Sequence, residues 1–494
     1  MQERPLPHQQ NIDRVSAQKN SLAVAGNVRD IYYIVPRSED PQKAFEQAAS
    51  KCRKDLFLTD PYIDREKVIS EKGKRVAGTC EWITHNESYC AWLNGDGNTR
   101  PLWISGGPGK GKTMMSVFLT EELERQTAGR EDAELVFYFY SAKDKERNTS
   151  IAVLRGLVHQ IITKRPQLIR HALPYFETRA QIKQTLSSLE ALWIIFKNIV
   201  ADDELGTMFC VLDGLDECEE STLEVLLPRL ISLLTSEDSP STEGTFKLAI
   251  VSRDLLRLRD CTMRVRLDPD NDEKVASDIE LFVSARVREL SRIEGFKDFR
   301  VSVQKDLLER AEGTFLWVGL VMDELSQKQT CGEILETLKE MPSGLSAIYS
   351  RMLLRIPAKK REVSRTILQW VTMAARPLHL RELAAATGVR PSSSRLTVDQ
   401  ATREAITLCR PLLKVQEQEV SLVHQSVRDY LLRTERDSDA VLEAFRLNLE
   451  SAHLELAQKC LNYIAQSDLR HRVINLDSKL DPKEAPLLRY ATLH

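Results

Sequence analysis

Gly106, Gly107, Pro108, Gly109, Lys110, Gly111, Lys112 and Thr113 satisfy the phosphate-loop pattern G-x-x-x-x-G-K-[ST] at every fixed position and add two further glycines. Glycines let successive backbone N–H groups turn toward one anion, and a helix following such a loop points its positive end at the same place. Lys112 is then expected to reach the outer phosphates of a nucleotide, and the Thr113 hydroxyl to ligate Mg2+. The same glycines could also form a flexible turn with no ligand, and the flanks decide between the two. Residues 101–105 are a short apolar run of strand character, and 114–125 carry apolar residues at helical spacing.

About one hundred residues later, Cys210, Val211 and Leu212 lead into Asp213, Gly214, Leu215, Asp216 and Glu217, an apolar strand ending in an acidic cluster. Ligands bind at the carboxyl ends of strands in open α/β sheets, so a strand beside that of the phosphate loop would put Asp213 where it can hold Mg2+ through a water. Asp216 and Glu217, slightly further on, are candidates to orient or deprotonate the water that attacks a γ-phosphate. Their alternative is a solvated helix start, which acidic residues also stabilise. Arg253 follows the apolar run 246–252 and should project from the same sheet edge, where its fork of donors suits phosphate oxygens. A surface ion pair to Asp254 or Asp260 is its alternative.

These side chains need a sheet to carry them. Five strand-like runs, 101–105, 134–140, 207–212, 246–252 and 263–267, are separated mostly by helical segments, which predicts a parallel sheet covered on both faces. Ahead of it the pattern is helical, with helices expected over 41–51 and 81–93. Beyond 273 helices take over, at 273–291, 302–312, 315–328, 332–341, 345–354 and 362–374. Residues 417–424 alternate polar and apolar as an exposed edge strand would and precede a helix at 425–432; with the preceding helices this fits a winged helix-turn-helix. No dense basic recognition helix accompanies it, which favours a packing role over DNA reading. The expected fold class is an α/β P-loop NTPase parallel sheet with helices on both faces, followed by an all-α helical domain and a winged helix. The expected divisions are a polar arm or domain remnant (1–45), a helical lead-in (46–97), the NTPase domain (98–272), the helical domain (273–345), the winged helix (346–436) and a helical tail (437–494).

At 494 residues the chain should hold several domains, at about 150 residues each. A formal net charge of -3 gives no bias toward nucleic acid. Nine cysteines, odd in number and widely spread, make neither a disulfide framework nor a paired metal pattern and read as reduced thiols. A polar N-terminus and the lack of any run near ~18 apolar residues predict a cytoplasmic protein without a membrane segment, which makes the glycosylation sequons at Asn86 and Asn148 incidental.

Taken together, residues 78–83, the loop with its strand (103–113), the Asp-Gly-Leu-Asp-Glu sequence 213–217, 251–253, the Gly-Thr-Phe-Leu-Trp sequence 313–317 and 370–383 resemble the NACHT-type signal-transduction ATPases with numerous domains (STAND NTPases), especially fungal ones with a nephrocystin-like NTPase domain. The resemblance spans residues 55–435. It implies an NLR-like switch that ADP holds closed and ATP opens, with slow hydrolysis and self-association on activation. It further implies that His424 approaches the ADP phosphates and that the segment containing Trp82 lines the adenine pocket; a structural strand-end histidine and a helix-packing tryptophan are the alternatives. Relatives of this kind usually carry an effector domain before the NTPase and a repeat array after it, and neither is expected to be complete here. Two competing readings are a cycling ATPase that remodels a partner and a scaffold that binds nucleotide without hydrolysing it. ATP is favoured over GTP because no guanine-reading [NT]-K-x-D stretch is present.

Overall fold

A computed structural model describes residues 41–95, 100–141, 147–235, 245–267, 273–393, 395–409, 411–466 and 486–493. They divide into two compact units, 1–52 and 53–494. In the first, the described residues form the opening turns of helix α1 (Pro41–Leu56), longer than expected; the arm foreseen over 1–45 lies, as far as residue 40, outside the described residues.

The first whole helix of the second unit is α2 (Pro61–Lys72), which the sequence reading did not single out. Its start is nonetheless well marked: Pro61 sits at the first helical position and the Asp60 carboxylate accepts from the Tyr62 and Ile63 N–H groups. The single helix expected over 81–93 is two pieces, a 3-10 turn (Glu81–His85) and α3 (Glu87–Asn94). Asn86 breaks it, because its extended backbone lets its side chain cap the N–H groups of Ser88 and Tyr89 and restart the helix.

Five parallel strands follow, β1 (Leu102–Ser105), β2 (Ala133–Phe139), β3 (Thr207–Asp213), β4 (Thr245–Ser252) and β5 (Met263–Arg266), in the order β2-β3-β4-β1-β5. Helices α4 (Lys112–Thr127), α5 (Ser150–Lys164), α6 (Arg179–Ser187), α7 (Leu189–Val200) and α8 (Glu220–Thr235) connect them. The order corrects one expectation: β3, which carries Asp213, does not lie beside β1, because β4 pairs with both. Strand order is set by crossovers, and an apolar run reads the same in any central position. The period of two explains the burial. Leu102 and Ile104, Phe137 and Phe139, Phe209 and Val211, and Ala249 and Val251 share one core with Trp92, Met115 and Phe118. The intervening Trp103, Tyr138, Cys210, Leu212 and Ile250 are buried on the opposite face. β2 is an edge, and Gln160 of α5 covers it by pairing with both the N–H (3.1 Å) and the C=O (2.9 Å) of Phe137.

The rest is helical: α9 (Glu273–Arg288), α10 (Phe296–Ala311), α11 (Phe315–Leu325), α12 (Cys331–Lys339), α13 (Leu345–Leu354), α14 (Arg361–Met373), α15 (Leu380–Thr387), α16 (Val398–Thr407), α17 (Gln425–Leu431), α18 (Ala440–Phe445), α19 (Leu449–Gln466) and α20 (Leu488–Leu493). A small antiparallel sheet, β6 (Leu378–His379), β7 (Leu413–Gln416) and β8 (Glu419–Leu422), has the order β6-β8-β7. The strand expected over 417–424 therefore starts later and is central, not an edge. Glu417 and Gln418, at φ 46 and 73°, form the turn of a β7–β8 hairpin. Polar/apolar alternation reports one buried face, which a central strand of a half-covered sheet shows equally. One apolar core runs from Ile279 to Tyr490 through Trp317, Tyr349, Trp370 and Phe445. None of the nine cysteines, all of them among the described residues, is in a disulfide. Among the described residues no helix is long and apolar enough to cross a membrane.

Candidate nucleotide site

The loop from Gly106 to Gly111 leaves β1 and enters α4 at the C-terminal edge of the large sheet. Gly109 and Gly111 take φ 71 and 84°, in the left-handed region that glycine enters at least cost. Gly111 is the N-cap of α4 and supplies no side-chain cap, so no capping side chain competes with an anion for the first-turn N–H groups. Lys112 Nζ folds back over the loop and donates to the carbonyls of Gly106 and Gly107, both at 2.9 Å. Burial lowers the Lys112 pKa, with Asp216 the largest opposing influence. An anion in the loop would reverse that shift by supplying the missing countercharge.

Asp213 ends β3 and is 5% exposed. Its Oδ1 accepts from Ser116 Oγ of α4 at 2.6 Å, which bridges the gap left by the interposed β4. Burial pushes the carboxyl up to about 6, and the nearby Lys72 ammonium is the largest influence pulling it back. Lys72 Nζ also donates to Thr113 Oγ1 at 2.8 Å. Among the described residues no group of three or more His, Cys, Asp or Glu could hold a metal by itself. One hydroxyl and one buried carboxylate beside a phosphate loop do fit Mg2+, which takes few protein ligands and completes its shell with water and phosphate oxygens. Thr113 and Asp213 would hold it; when bound, it would neutralise charge on the outer phosphates.

Asp216 and Glu217 lie on a 3-10 turn (Leu215–Glu217) rather than at the start of α8. Asp216 is engaged by Arg253 twice: Oδ1 accepts from the Arg253 backbone N–H at 2.9 Å and Oδ2 faces Nε at 3.0 Å. Arg253 Nη1 reaches on to Asp429 of α17 at 2.7 Å. The foreseen ion pair of Arg253 thus exists with other partners, since Asp254 pairs instead with Arg259 and Arg264. Glu217 is half-buried, and its charge helps raise the Asp213 pKa.

Trp82 donates its indole N–H to Asp278 of α9 at 3.0 Å, and the same oxygen accepts from the Cys80 N–H at 2.9 Å. His424 caps α17, its Nδ1 accepting from the Ser426 N–H at 3.1 Å. The residue of α17 that reaches the sheet edge is Asp429, about one turn on. Asp429, Ser116 and Lys72 were not singled out from the sequence. Only Ser116 carries a readable signal, lying one helical turn after Lys112 on the strand-facing side of α4. A further contact was equally hidden. Lys110 Nζ donates to the Glu312 carbonyl at 2.7 Å. A Cβ on Gly109 would lie 2.8 Å from Thr314 Cγ2 and Leu316 Cβ, and one on Gly111 would lie 3.2 Å from the Phe315 ring. Residues 312–316 form a strap against the outside of the phosphate loop.

Residues 78–253 match the family model of the nephrocystin 3 N-terminal domain, and 349–443 that of the winged helix domain of GPI inositol-deacylase. The chain is 30% identical over 496 aligned positions to vegetative incompatibility protein HET-E-1 of Podospora anserina, covering 94% of this chain but 36% of that protein. It thus spans about a third of that relative's length. Among solved structures, a STAND protein with a tetratricopeptide repeat sensor from Pyrococcus horikoshii is similar at 11% identity and TM-score 0.35, over 77% of this chain and 45% of that one. A Walker-type ATPase of Pyrococcus abyssi is similar at 12% identity and TM-score 0.32, over 72% and 97%. With a nephrocystin-type N-terminal domain ahead of a winged helix, and with relatedness to the Podospora protein along nearly the whole of this chain, the chain is similar to the fungal NACHT-type proteins.

Proposed function

We propose that the chain is a nucleotide-operated signalling switch: ADP holds it closed, ATP opens it and permits self-association, and slow hydrolysis resets it. The observation that carries this reading is the position of Arg253, shared between Asp216 at the sheet edge and Asp429 on α17. A guanidinium there would be drawn toward a third phosphate, and leaving Asp429 would remove an ion pair that ties α17 to the nucleotide site. ADP lacks that phosphate and leaves the tie in place. A cycling ATPase needs its acidic pair ready for water at every turnover, whereas here Asp216 is committed to holding Arg253.

In this reading Gly106 to Thr113 cradle the phosphates, Lys112 neutralises them, and Thr113 and Asp213 hold Mg2+. Glu217 orients the attacking water, and Asp216 positions Arg253. Trp82 flanks the base and His424 approaches the ADP phosphates from the head of α17. The setting is cytoplasmic.

The test is the nucleotide that the protein carries. The chain is purified without added nucleotide and denatured, and the released nucleotide is identified by chromatography, with Lys112→Ala as control. Stoichiometric ADP that disappears in the control is the expected result. An empty protein that turns ATP over faster than about one per second would sink the switch, since that is an ordinary enzymatic rate.

A further inference from the structure

The cation position of the site holds a cation that belongs to the chain. α2 ends at Lys72, whose ammonium donates to Thr113 Oγ1 at 2.8 Å, the hydroxyl expected to ligate Mg2+. Its charge is also the largest influence offsetting the burial of Asp213, so the ammonium acts on both groups that would bind the metal. The end of α2 is held in place on its other side. Glu71 Oε2 accepts from Lys414 Nζ of β7 at 2.5 Å, and the Gly73 N–H closes the last turn on the Ile69 carbonyl at 2.9 Å. The Lys72 side chain itself is exposed, which gives it a route out to solvent.

We infer that Lys72 is a built-in counter-ion at the divalent-cation position: it lets the closed site hold a nucleoside diphosphate without Mg2+, and it must swing out before Mg2+ can bind Thr113 and Asp213. The inference rests on the nucleotide-binding reading above. Its physical basis is exclusion. An ammonium hydrogen-bonded to Thr113 Oγ1 takes one of its two lone pairs and the space beside it that a metal would fill, and two cations within a few Å of each other repel. A lysine suits this part because its ammonium is a compact point charge on a flexible stem, unlike the planar fork of arginine.

The test is equilibrium binding of fluorescent ADP to the full chain, in excess Mg2+ and in EDTA, for the unaltered protein, Lys72→Met and Lys72→Arg. Unaltered protein should bind ADP with affinities that agree within about threefold in the two conditions. Lys72→Met should lose at least about tenfold in EDTA and recover in Mg2+, a modest loss for deleting a unit charge a few Å from phosphate. Lys72→Arg should keep much of the metal-independent binding, which separates charge from shape. Equal effects of Lys72→Met with and without Mg2+, or unaltered protein that needs Mg2+ as much as the variant does, would overturn the inference and leave the nucleotide site standing. Unaltered protein that binds no nucleotide in either condition would overturn both. Thermal melting of each variant confirms that the fold is retained.

Discussion

The α/β region and the helical region bury their apolar residues in different ways. The strands between 102 and 266 send alternate residues to opposite faces of a sheet covered on both sides. From 279 to 490 one continuous core runs through helices and a three-stranded sheet. The two regions differ most at the carboxyl edge of the large sheet. There the α/β region gathers charged and hydrogen-bonding groups that its own core cannot satisfy, and the helical region supplies partners: Glu312 for Lys110, Asp429 for Arg253, Lys414 for Glu71 and Asp278 for Trp82. Such polar ties exchange readily with phosphate, metal and water, whereas a shared apolar core would not separate without unfolding.

Four substitutions can break or sharpen that comparison. Trp317, 0% exposed and bonded through its indole N–H to the Pro342 carbonyl, anchors the helical core. Trp317→Ala should cost about 3–5 kcal/mol. In denaturant it should shift the unfolding of residues 279–490 and leave nucleotide protection of the α/β region largely intact; an equal shift of both would mean a single cooperative core.

Gly109→Ala comes next, at about 1–3 kcal/mol for overpacking, plus strain at a φ of 71°. Its Cβ would strike Thr314 and Leu316, so the expected outcome is release of the strap, read as new proteolytic cleavage near residues 312–316. An unchanged cleavage pattern would show that the strap yields without leaving.

Asp429→Asn should change stability by no more than about 1 kcal/mol, because the Arg253–Asp429 pair is 28% and 40% exposed. Its effect should instead appear in the bound nucleotide, moving the purified protein from ADP toward ATP and from monomer toward larger assemblies in gel filtration. Retained ADP and an unchanged elution volume would remove Asp429 from the proposed switch.

The smallest effect concerns Asp278, whose pKa is raised chiefly by burial and lowered in part by the Cys80 and Trp82 hydrogen bonds. A carboxyl raised in the folded state binds its proton more tightly there than in the unfolded chain. Its contribution is therefore favourable at low pH and is lost as pH rises through the raised value. Melting temperatures of the unaltered protein should fall relative to Asp278→Asn as pH climbs from about 4, the unfolded carboxylate range, toward neutrality. A gap between the two proteins that stays constant with pH would mean that Asp278 keeps an ordinary pKa.

Much of the candidate site was legible because a phosphate-loop pattern is a contiguous stretch of chain. Gly106 to Thr113 lie within eight residues and are flanked by a strand and a helix, so type and spacing carried the information. Asp213 was legible for the same reason, as the end of an apolar run. The partners of these residues were not. Lys72 lies 41 positions before Thr113, Asp278 lies 196 after Trp82 and Asp429 lies 176 after Arg253, and each is an ordinary surface residue type on a helix. The ion pair foreseen for Arg253 was assigned to sequence neighbours, but the neighbouring Asp254 is taken by Arg259 and Arg264. The split of 81–93 was legible in principle, since an asparagine followed by a glutamate and a serine is a good helix start, but the apolar spacing runs straight through it.

The amino-acid sequence by itself determined the phosphate loop, the acidic strand end, the parallel α/β class and the change to helices after residue 273, because each depends on local backbone geometry or on the period of apolar residues. Only the tertiary structure decided that β4 lies between β1 and β3, that Ser116 spans the resulting gap, and that the strap, Lys72 and Asp429 close on the nucleotide edge. The reason is that crossovers and long-range polar ties leave no periodicity in the chain. They arise when the sheet edge is assembled and its unsatisfied groups take the nearest charges of opposite sign.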